Sequence, residues 1–206
     1  MWLRSEAFPY VVPGALVAAV AAAAGYPVVF LAAALIAAAL GAFFRDPERL
    51  DVAPADAVLA PADGRVVDVA ARPDGVHIAI FLSIFNVHVT RAPVGGALLS
   101  WERIAGGYAM AFRPSASQNA RHRLLIEAPA GRVELSLIAG AVARRVVPWV
   151  SPPQVLQRGQ RIALIKFGSR AELRLPAGHA AVVSVGSRVR AGETVVARAH
   201  RLGSQP

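Results

Sequence analysis

No charged residue occurs from Ala7 to Phe44, and this stretch constrains the chain more than any other. Over Val11–Phe44 it reads VVPGALVAAVAAAAGYPVVFLAAALIAAALGAFF, and Gly25-Tyr26-Pro27 interrupts it near the middle. Proline removes a backbone donor and fixes φ, so the chain breaks there into two arms. Each arm is about 19 residues, or about 28 Å as a helix, close to the ~30 Å hydrocarbon thickness of a bilayer. Two readings follow, a helical hairpin dipping into or crossing a membrane and a pair of buried helices. Long uncharged runs favour the hairpin. A cleaved signal peptide fits less well, because its apolar core is shorter and is followed by a small-residue cleavage site. A hairpin returns the chain to its starting side. Arg4 at one end and Arg45 and Arg49 at the other then place both ends in the cytoplasm by the positive-inside rule.

Charge and residue usage narrow the partners. The formal net charge is +9, carried almost wholly by arginine, and Lys166 is the only lysine. A basic balance selects anionic partners, either nucleic acid or an acidic membrane surface. Aromatic residues make up 7% of the chain, with no interleaved basic and aromatic stripe, while 55% is hydrophobic. That combination points to membrane rather than nucleic acid. The absence of cysteine excludes disulfides, thiolate nucleophiles and Cys-ligated zinc. No two histidines have metal-ligand spacing, so no metal is expected. A pyridoxal cofactor has one candidate lysine, Lys166, and is disfavoured.

After Leu50 the texture changes to short apolar runs separated by Gly and Pro turns. Val58–Val69 reads as strand, turn, strand, and further strands are expected at His77–Leu82, Asn86–Thr90, Leu98–Ile104, Arg123–Glu127, Val133–Ala143, Ile162–Phe167, Val182–Val185 and Thr194–Ala197. Val155–Ile162 echoes Ser187–Val195, each a polar-Gly-polar turn leading into an apolar strand, and Ala62-Asp63-Gly64-Arg65-Val66 opens a third such unit. The predicted fold is mainly β: a barrel-sandwich, β-rich domain over residues 51–206, preceded by a hydrophobic helical hairpin over residues 1–50.

Several residues carry possible chemistry. Gly168-Ser169 follows an apolar run, Ile162–Phe167. Glycine leaves its carbonyl unhindered, and a strained Gly-Ser bond lets Ser169 attack it. The amide becomes an ester, β-elimination splits the chain, and the new terminus is a pyruvoyl ketone. Most Gly-Ser pairs are plain turns, and Gly186-Ser187 and Gly203-Ser204 are two more here. Asp63 reads as Asp-Gly turn chemistry or as a carboxylate that orients a base. On a strand, Asn86, His88 and Thr90 share one face, which makes His88 either a satisfied histidine or an acid–base group. Arg113, Arg121, Arg123, Arg144, Arg145, Arg170 and Arg174 are of the type that binds phosphate or carboxylate, and most of them also fit solvated surface charge.

Phe43-Phe44-Arg45-Asp46-Pro47-Glu48-Arg49, Ala60-Pro61-Ala62-Asp63-Gly64, Phe81–Pro93 and Phe167-Gly168-Ser169-Arg170 occur in that order. Together with Arg158-Gly159-Gln160-Arg161 and Leu173-Arg174-Leu175-Pro176, they resemble the short, prokaryotic-type phosphatidylserine decarboxylases over nearly the whole chain. The resemblance implies cleavage between Gly168 and Ser169, giving a β chain, residues 1–168, and an α chain, residues 169–206, that stay together as a heterodimer. It implies a pyruvoyl group made from Ser169 that condenses with the serine headgroup amine and acts as an electron sink for decarboxylation. It also implies an Asp-His-Ser arrangement on Asp63, His88 and Ser169. Asn86, Arg91 and Arg170 are further candidates for substrate binding. The long-form enzymes carry a second histidine where this chain has Arg91. The expected product is phosphatidylethanolamine, made at the cytoplasmic face of the cell membrane. Archaeal-type lipid headgroups remain open as substrates. Two rival readings are a membrane-tethered adaptor without catalysis and a Ser-Lys hydrolase using Ser169 and Lys166.

Overall fold

The structure, a computed structural model, describes residues 2–107, 119–139, 145–165 and 169–199, without the side chains of residues 2 and 3. The chain divides into two compact units, Met1–Glu48 and Arg49–Pro206.

In the first unit, β1 (Trp2–Leu3) is followed by a 3-10 turn, α1 (Phe8–Ala23), α2 (Pro27–Phe43) and β2 (Arg45–Asp46). The expected hairpin is present. Alanine-rich runs form helices readily, and Pro27 opens α2 where its missing N–H costs nothing. Gly25, at φ +76°, makes the turn between the arms. The helices run 16 and 17 residues, shorter than the expected arms, because Ala24–Tyr26 form the connection. Their contact is made of small residues. A Cβ on Gly14 would lie 3.2 Å from the Ala37 Cβ, and Ala18, Ala21 and Ala37 are buried. Such a seam lets two helix backbones approach closely. The larger apolar side chains, among them Leu16, Val20, Val28, Leu31 and Leu35, are exposed. Ser5–Ala23 is long and apolar enough to cross a membrane, while α2 is somewhat shorter. At the base, β1 pairs with β2, and Arg4 reaches the buried Asp46 carboxylate at 2.8 Å.

The second unit is built of strands: β3 (Ala57–Leu59), β4 (Gly64–Arg72), β5 (Gly75–Leu82), β6 (Val89–Arg91), β7 (Gly96–Ile104), β8 (Arg121–Ala128), β9 (Gly131–Ala139), β10 (Val146–Pro148), β11 (Gln154–Leu156), β12 (Arg161–Ile165), β13 (Ser169–Pro176), β14 (His179–Ala181), β15 (Arg188–Val189) and β16 (Val195–Ala199). Eight form one sheet in the order β11-β7-β8-β9-β13-β5-β4-β15. Two smaller sheets are β10-β12-β6 and β14-β16-β3. One apolar core joins all three, with Ile78, Ile80, Leu135 and Leu173 from the large sheet, Ile162 and Ile165 from the second and Val58 and Val196 from the third.

The internal echo is a structural repeat. Ala92 donates to Gln160 O while Gly159 donates to Ala92 O, and Ala60 donates to Thr194 O while Gly192 donates to Ala60 O. The two turns have Gly159 at φ +77° and Gly192 at φ +72°, a region that side chains rarely enter.

Three expectations need correction. Val182–Val185 is not a strand; Val182 and Val185 are exposed, and the segment leads into a turn where Ser184 N–H donates to Ser187 Oγ. Neither Asn86 nor His88 is on a strand, because the Asn86 backbone amide donates to Ser83 O and closes a turn, and β6 begins only at Val89. Ser169 does not end a strand in a turn but opens β13, a strand that had not been expected at all. Its sequence alternates Arg170, Glu172 and Arg174 with Ala171, Leu173 and Leu175, the period of a strand. It pairs with β9 on one side and β5 on the other. The rest of the expected Val133–Ala143 and Ile162–Phe167 strands, beyond Ala139 and Ile165, lies outside the described residues.

Candidate functional site

Ser169 lies on a rung across four strands. It pairs with Leu82 on β5 and Ala139 on β9, and the β4–β5 register brings Gly64 opposite Leu82. Strands are spaced at about 4.8 Å, so Gly64 and Ser169, two strands apart, are separated by about 10 Å. A glycine is required at 64, since a Cβ there would meet Phe81 O at 2.1 Å. The rung therefore gathers Asp63, the turn after Leu82 and Ser169 at one end of the sheet. Ser169 is fully buried, and its Oγ makes no hydrogen bond among the described residues.

His88 is also fully buried. Its Nδ1 lies 2.9 Å from Asn86 O. A carbonyl only accepts, so Nδ1 carries the proton and the neutral ring keeps its basic lone pair on Nε2. Ile165 N–H donates to His88 O at 3.1 Å, which ties the histidine to the strand leading into Ser169. Four peptide units cannot span more than about 14 Å, so Ser169 begins within that reach of Ile165. Gly168, Lys166 and Phe167 lie outside the described residues, as do Arg113 and Arg144.

Asp63 is held in place, but not by His88. Arg49 Nη2 donates to its Oδ2 at 3.0 Å, and the Ala191 amide donates to its Oδ1 at 2.8 Å. The arginine side chain is 8% exposed and bridges onward to Glu193. In the sequence Arg49 reads as a membrane-exit charge that also closes the motif Phe43–Arg49, and nothing in the local pattern reveals its partner farther along the chain.

Asn86 and Asp63 line one cavity of about 610 Å³, together with Ser83, Arg65, Arg188 and Arg190. The Asn86 Oδ1 accepts from the Ser83 amide and hydroxyl, which fixes the cavity rim. Arg91 turns elsewhere. Opposite parity puts it on the other face of β6 from Thr90, and its Nη1 donates to Gly159 O beside Gly192. It clamps the two repeat turns. Arg170 is buried against Glu172, with Nε 2.9 Å from Oε1. Burial works to raise the Glu172 pKa. The hydrogen bond to His77 and the charges of Arg170, His77 and Arg121 outweigh it and hold the carboxyl below its usual value. A second cavity of about 670 Å³, lined by Val58, Gly96, Leu156 and His179 among others, reaches Ala128 at the opposite end of the sheet from Ser169.

The residue pattern of the phosphatidylserine decarboxylase family matches residues 36–197. A Streptomyces coelicolor phosphatidylserine decarboxylase proenzyme is 42% identical over 167 residues, covering 81% of this chain and 76% of the relative. A Methanothermobacter thermautotrophicus protein, provisionally named an archaetidylserine decarboxylase proenzyme, is 38% identical over 193 residues, covering 84% of this chain and 86% of its own. A Burkholderia multivorans phosphatidylserine decarboxylase proenzyme is 41% identical over 163 residues, 75% of this chain and 76% of the relative.

Proposed function

This chain belongs to the phosphatidylserine decarboxylase family, and on that premise we propose that it cleaves itself before Ser169 and then decarboxylates phosphatidylserine to phosphatidylethanolamine. The observation that carries the reading is the Ser169 hydroxyl, fully buried at the head of a central strand with no hydrogen bond among the described residues. A buried polar group left in that state costs roughly 1–3 kcal/mol, which a structural serine has no reason to bear. A nucleophile held clear of competing donors does.

His88 is the proton carrier for both stages, a base in cleavage and an acid in turnover. Its Nε2 lone pair takes the Ser169 proton as Oγ attacks the Gly168 carbonyl carbon. The imidazolium returns that proton to the departing Ser169 nitrogen as the peptide C–N bond breaks and the ester forms. Removal of the Ser169 α-proton then expels the Gly168 carboxylate, and water releases ammonia to leave the pyruvoyl end. Asp63, held by Arg49 and the Ala191 amide, sets its carboxyl group at this end of the sheet, where it serves to orient the base. The pyruvoyl group, when formed, supplies a ketone that condenses with the headgroup amine and accepts the electron pair that CO₂ leaves behind. His88 then delivers a proton to that carbon.

The fold suits a cut chain. Residues 169–206 contribute β13, held by β9 and β5, with β14 pairing with β16, β16 with β3 and β15 with β4. Both chains therefore remain one body after cleavage. The exposed apolar surface of the hairpin suits a substrate that does not leave the bilayer, and Arg4, Arg45 and Arg49 favour the cytoplasmic face.

Denaturing intact mass on the purified protein is the test. Two fragments meeting at Gly168-Ser169 are expected, with CO₂ release from phosphatidylserine vesicles. Ser169→Ala leaves one inert chain. A full-length wild-type chain that still decarboxylates would overturn the pyruvoyl assignment, and an uncut chain without activity would favour the adaptor.

A further inference from the structure

Arg65 on β4 and Arg188 on β15 are direct cross-strand partners. Directly opposed residues share a face with Cβ atoms about 5 Å apart, and like charges so placed are destabilising. Neither arginine forms an ion pair or side-chain hydrogen bond among the described residues, and both are exposed to the same cavity. The rung continues to Phe81 and Arg170, one residue in from the rung of Ser169. The acids nearby are already engaged: Asp63 with Arg49, Glu193 with Arg49 and at 3.8 Å with Arg190, and Glu172 with Arg170. Arg190 lines the cavity too, and Ser83 and Asn86 add polar groups to its rim.

We propose that Arg65 and Arg188, assisted by Arg190, form the subsite that takes the phosphodiester anion of the substrate headgroup. An anion bound between two guanidinium groups removes their repulsion and accepts charge-assisted hydrogen bonds from both. Arg65 and Arg188 share the rung of Arg170, one residue in from that of Ser169 and so on the opposite face of the sheet, and the headgroup, with about 5 Å between its nitrogen and phosphorus, reaches Ser169 around the sheet end that Asp63, Ser83 and Asn86 line. The turn between Ser83 and Asn86 points to a lipid rather than a soluble anion. At its tip Ile84 is 56% and Phe85 79% exposed, and an apolar tip beside a basic cavity fits the surface of an anionic bilayer. This inference rests on the decarboxylase reading, and it assigns the residues that hold the substrate rather than those that react.

The test uses the full-length cleaved enzyme with phosphatidylserine in mixed micelles, comparing Arg65→Gln, Arg188→Gln and Arg188→Lys. Expected for each Gln variant is normal self-cleavage, an unchanged or higher Tm without ligand, a KM raised on the order of 10- to 100-fold and a kcat within about threefold of wild type. Arg188→Lys should keep most of the affinity. A falling Tm with unmoved KM would assign the pair a structural role and overturn the proposal while leaving the decarboxylase reading intact. A binding arm titrates uncut Ser169→Ala protein calorimetrically with glycerophosphoserine and, separately, with inorganic phosphate. Glycerophosphoserine should bind more tightly, and Arg188→Gln in that background should abolish binding. Equal affinity for inorganic phosphate, with the KM for lipid unmoved by the substitutions, would mean a free-phosphate site and overturn the lipid assignment. Should the cleaved wild type fail to decarboxylate phosphatidylserine, the functional reading falls. The binding arm then decides the subsite alone, binding lost on substitution supporting it and binding retained overturning it.

Discussion

Ile165 donates its amide to the carbonyl of His88 at 3.1 Å, so the imidazole is pinned to the strand that runs into the cleavage segment. His88 and Ser169 thus belong to one rigid β framework. On the proposed reading one imidazole serves both processing and turnover, because each proton transfer leaves it ready for the reverse one. Arg91 cannot substitute, since guanidinium does not deprotonate at working pH and its side chain clamps Gly159 instead. His88→Ala should slow chain cleavage and decarboxylation by a factor on the order of 10²–10⁴ each. The readouts are the fraction cut with time and CO₂ release per cut chain. Wild-type rates for both would make the histidine structural.

Asp63 and Arg49 form a pair with side chains 11% and 8% exposed. Removing one partner breaks the pair, at a cost of up to about 3–5 kcal/mol, less for Asp63→Asn because Glu193 still faces Arg49. Asp63→Asn and Arg49→Gln should each lower stability by that order, and the double variant by less than the sum. Asp63→Asn should also slow cleavage more than turnover per cut chain. Additive losses in denaturant titrations would mean that the two side chains do not depend on each other.

How much of this was legible beforehand depended on range. Gly25 and Pro27 announce the hairpin because turn chemistry is local. The matching turns at Gly159 and Gly192 are readable because a repeat writes itself twice. Ser169 and His88 stood out as motif residues, yet the strand Ser169 opens was overlooked, although its alternation of Arg170, Glu172 and Arg174 with apolar residues is local too. The Arg49–Asp63 pair and the Arg65–Arg188 rung were not legible. Each depends on a register between segments distant in the chain, and side-chain type alone does not set register.

The hairpin supports a prediction about membranes. Its large apolar residues face outward while Gly14, Ala18, Ala21 and Ala37 make the helix contact. Protein beginning near Asp51 should lose much of its partition to vesicles. The residual binding should weaken with salt, because arginine charge is screened within about 10 Å at 0.1 M. Unchanged, salt-insensitive partition would rule out the hairpin as the main anchor.

His122 provides a pH signature separate from catalysis. It lies on β8 opposite Arg103 on β7, and its Nδ1 accepts a hydrogen bond from Trp101 Nε1 at 2.8 Å. An indole N–H only donates, so Nδ1 must keep its lone pair and the contact requires a neutral ring. Burial holds the His122 pKa below its ordinary 6.5, and the positive charge of Arg103 lowers it further. The unfolded chain therefore takes up this proton at a higher pH than the folded one. The resulting stabilisation is fully present above about pH 6.5 and is lost as pH falls through the lowered folded value. Glu172 acts in a separate, more acidic window, because its carboxyl is also held below its ordinary value of 4.5. Between pH 7.5 and 5, the wild-type Tm should fall, and the indole emission should change as the Trp101 contact breaks. His122→Asn should remove both trends over that range, and Trp101→Phe should remove the emission change alone. An emission profile in His122→Asn that still follows the wild type would place the titration on another group and dismiss the Trp101–His122 contact as its origin.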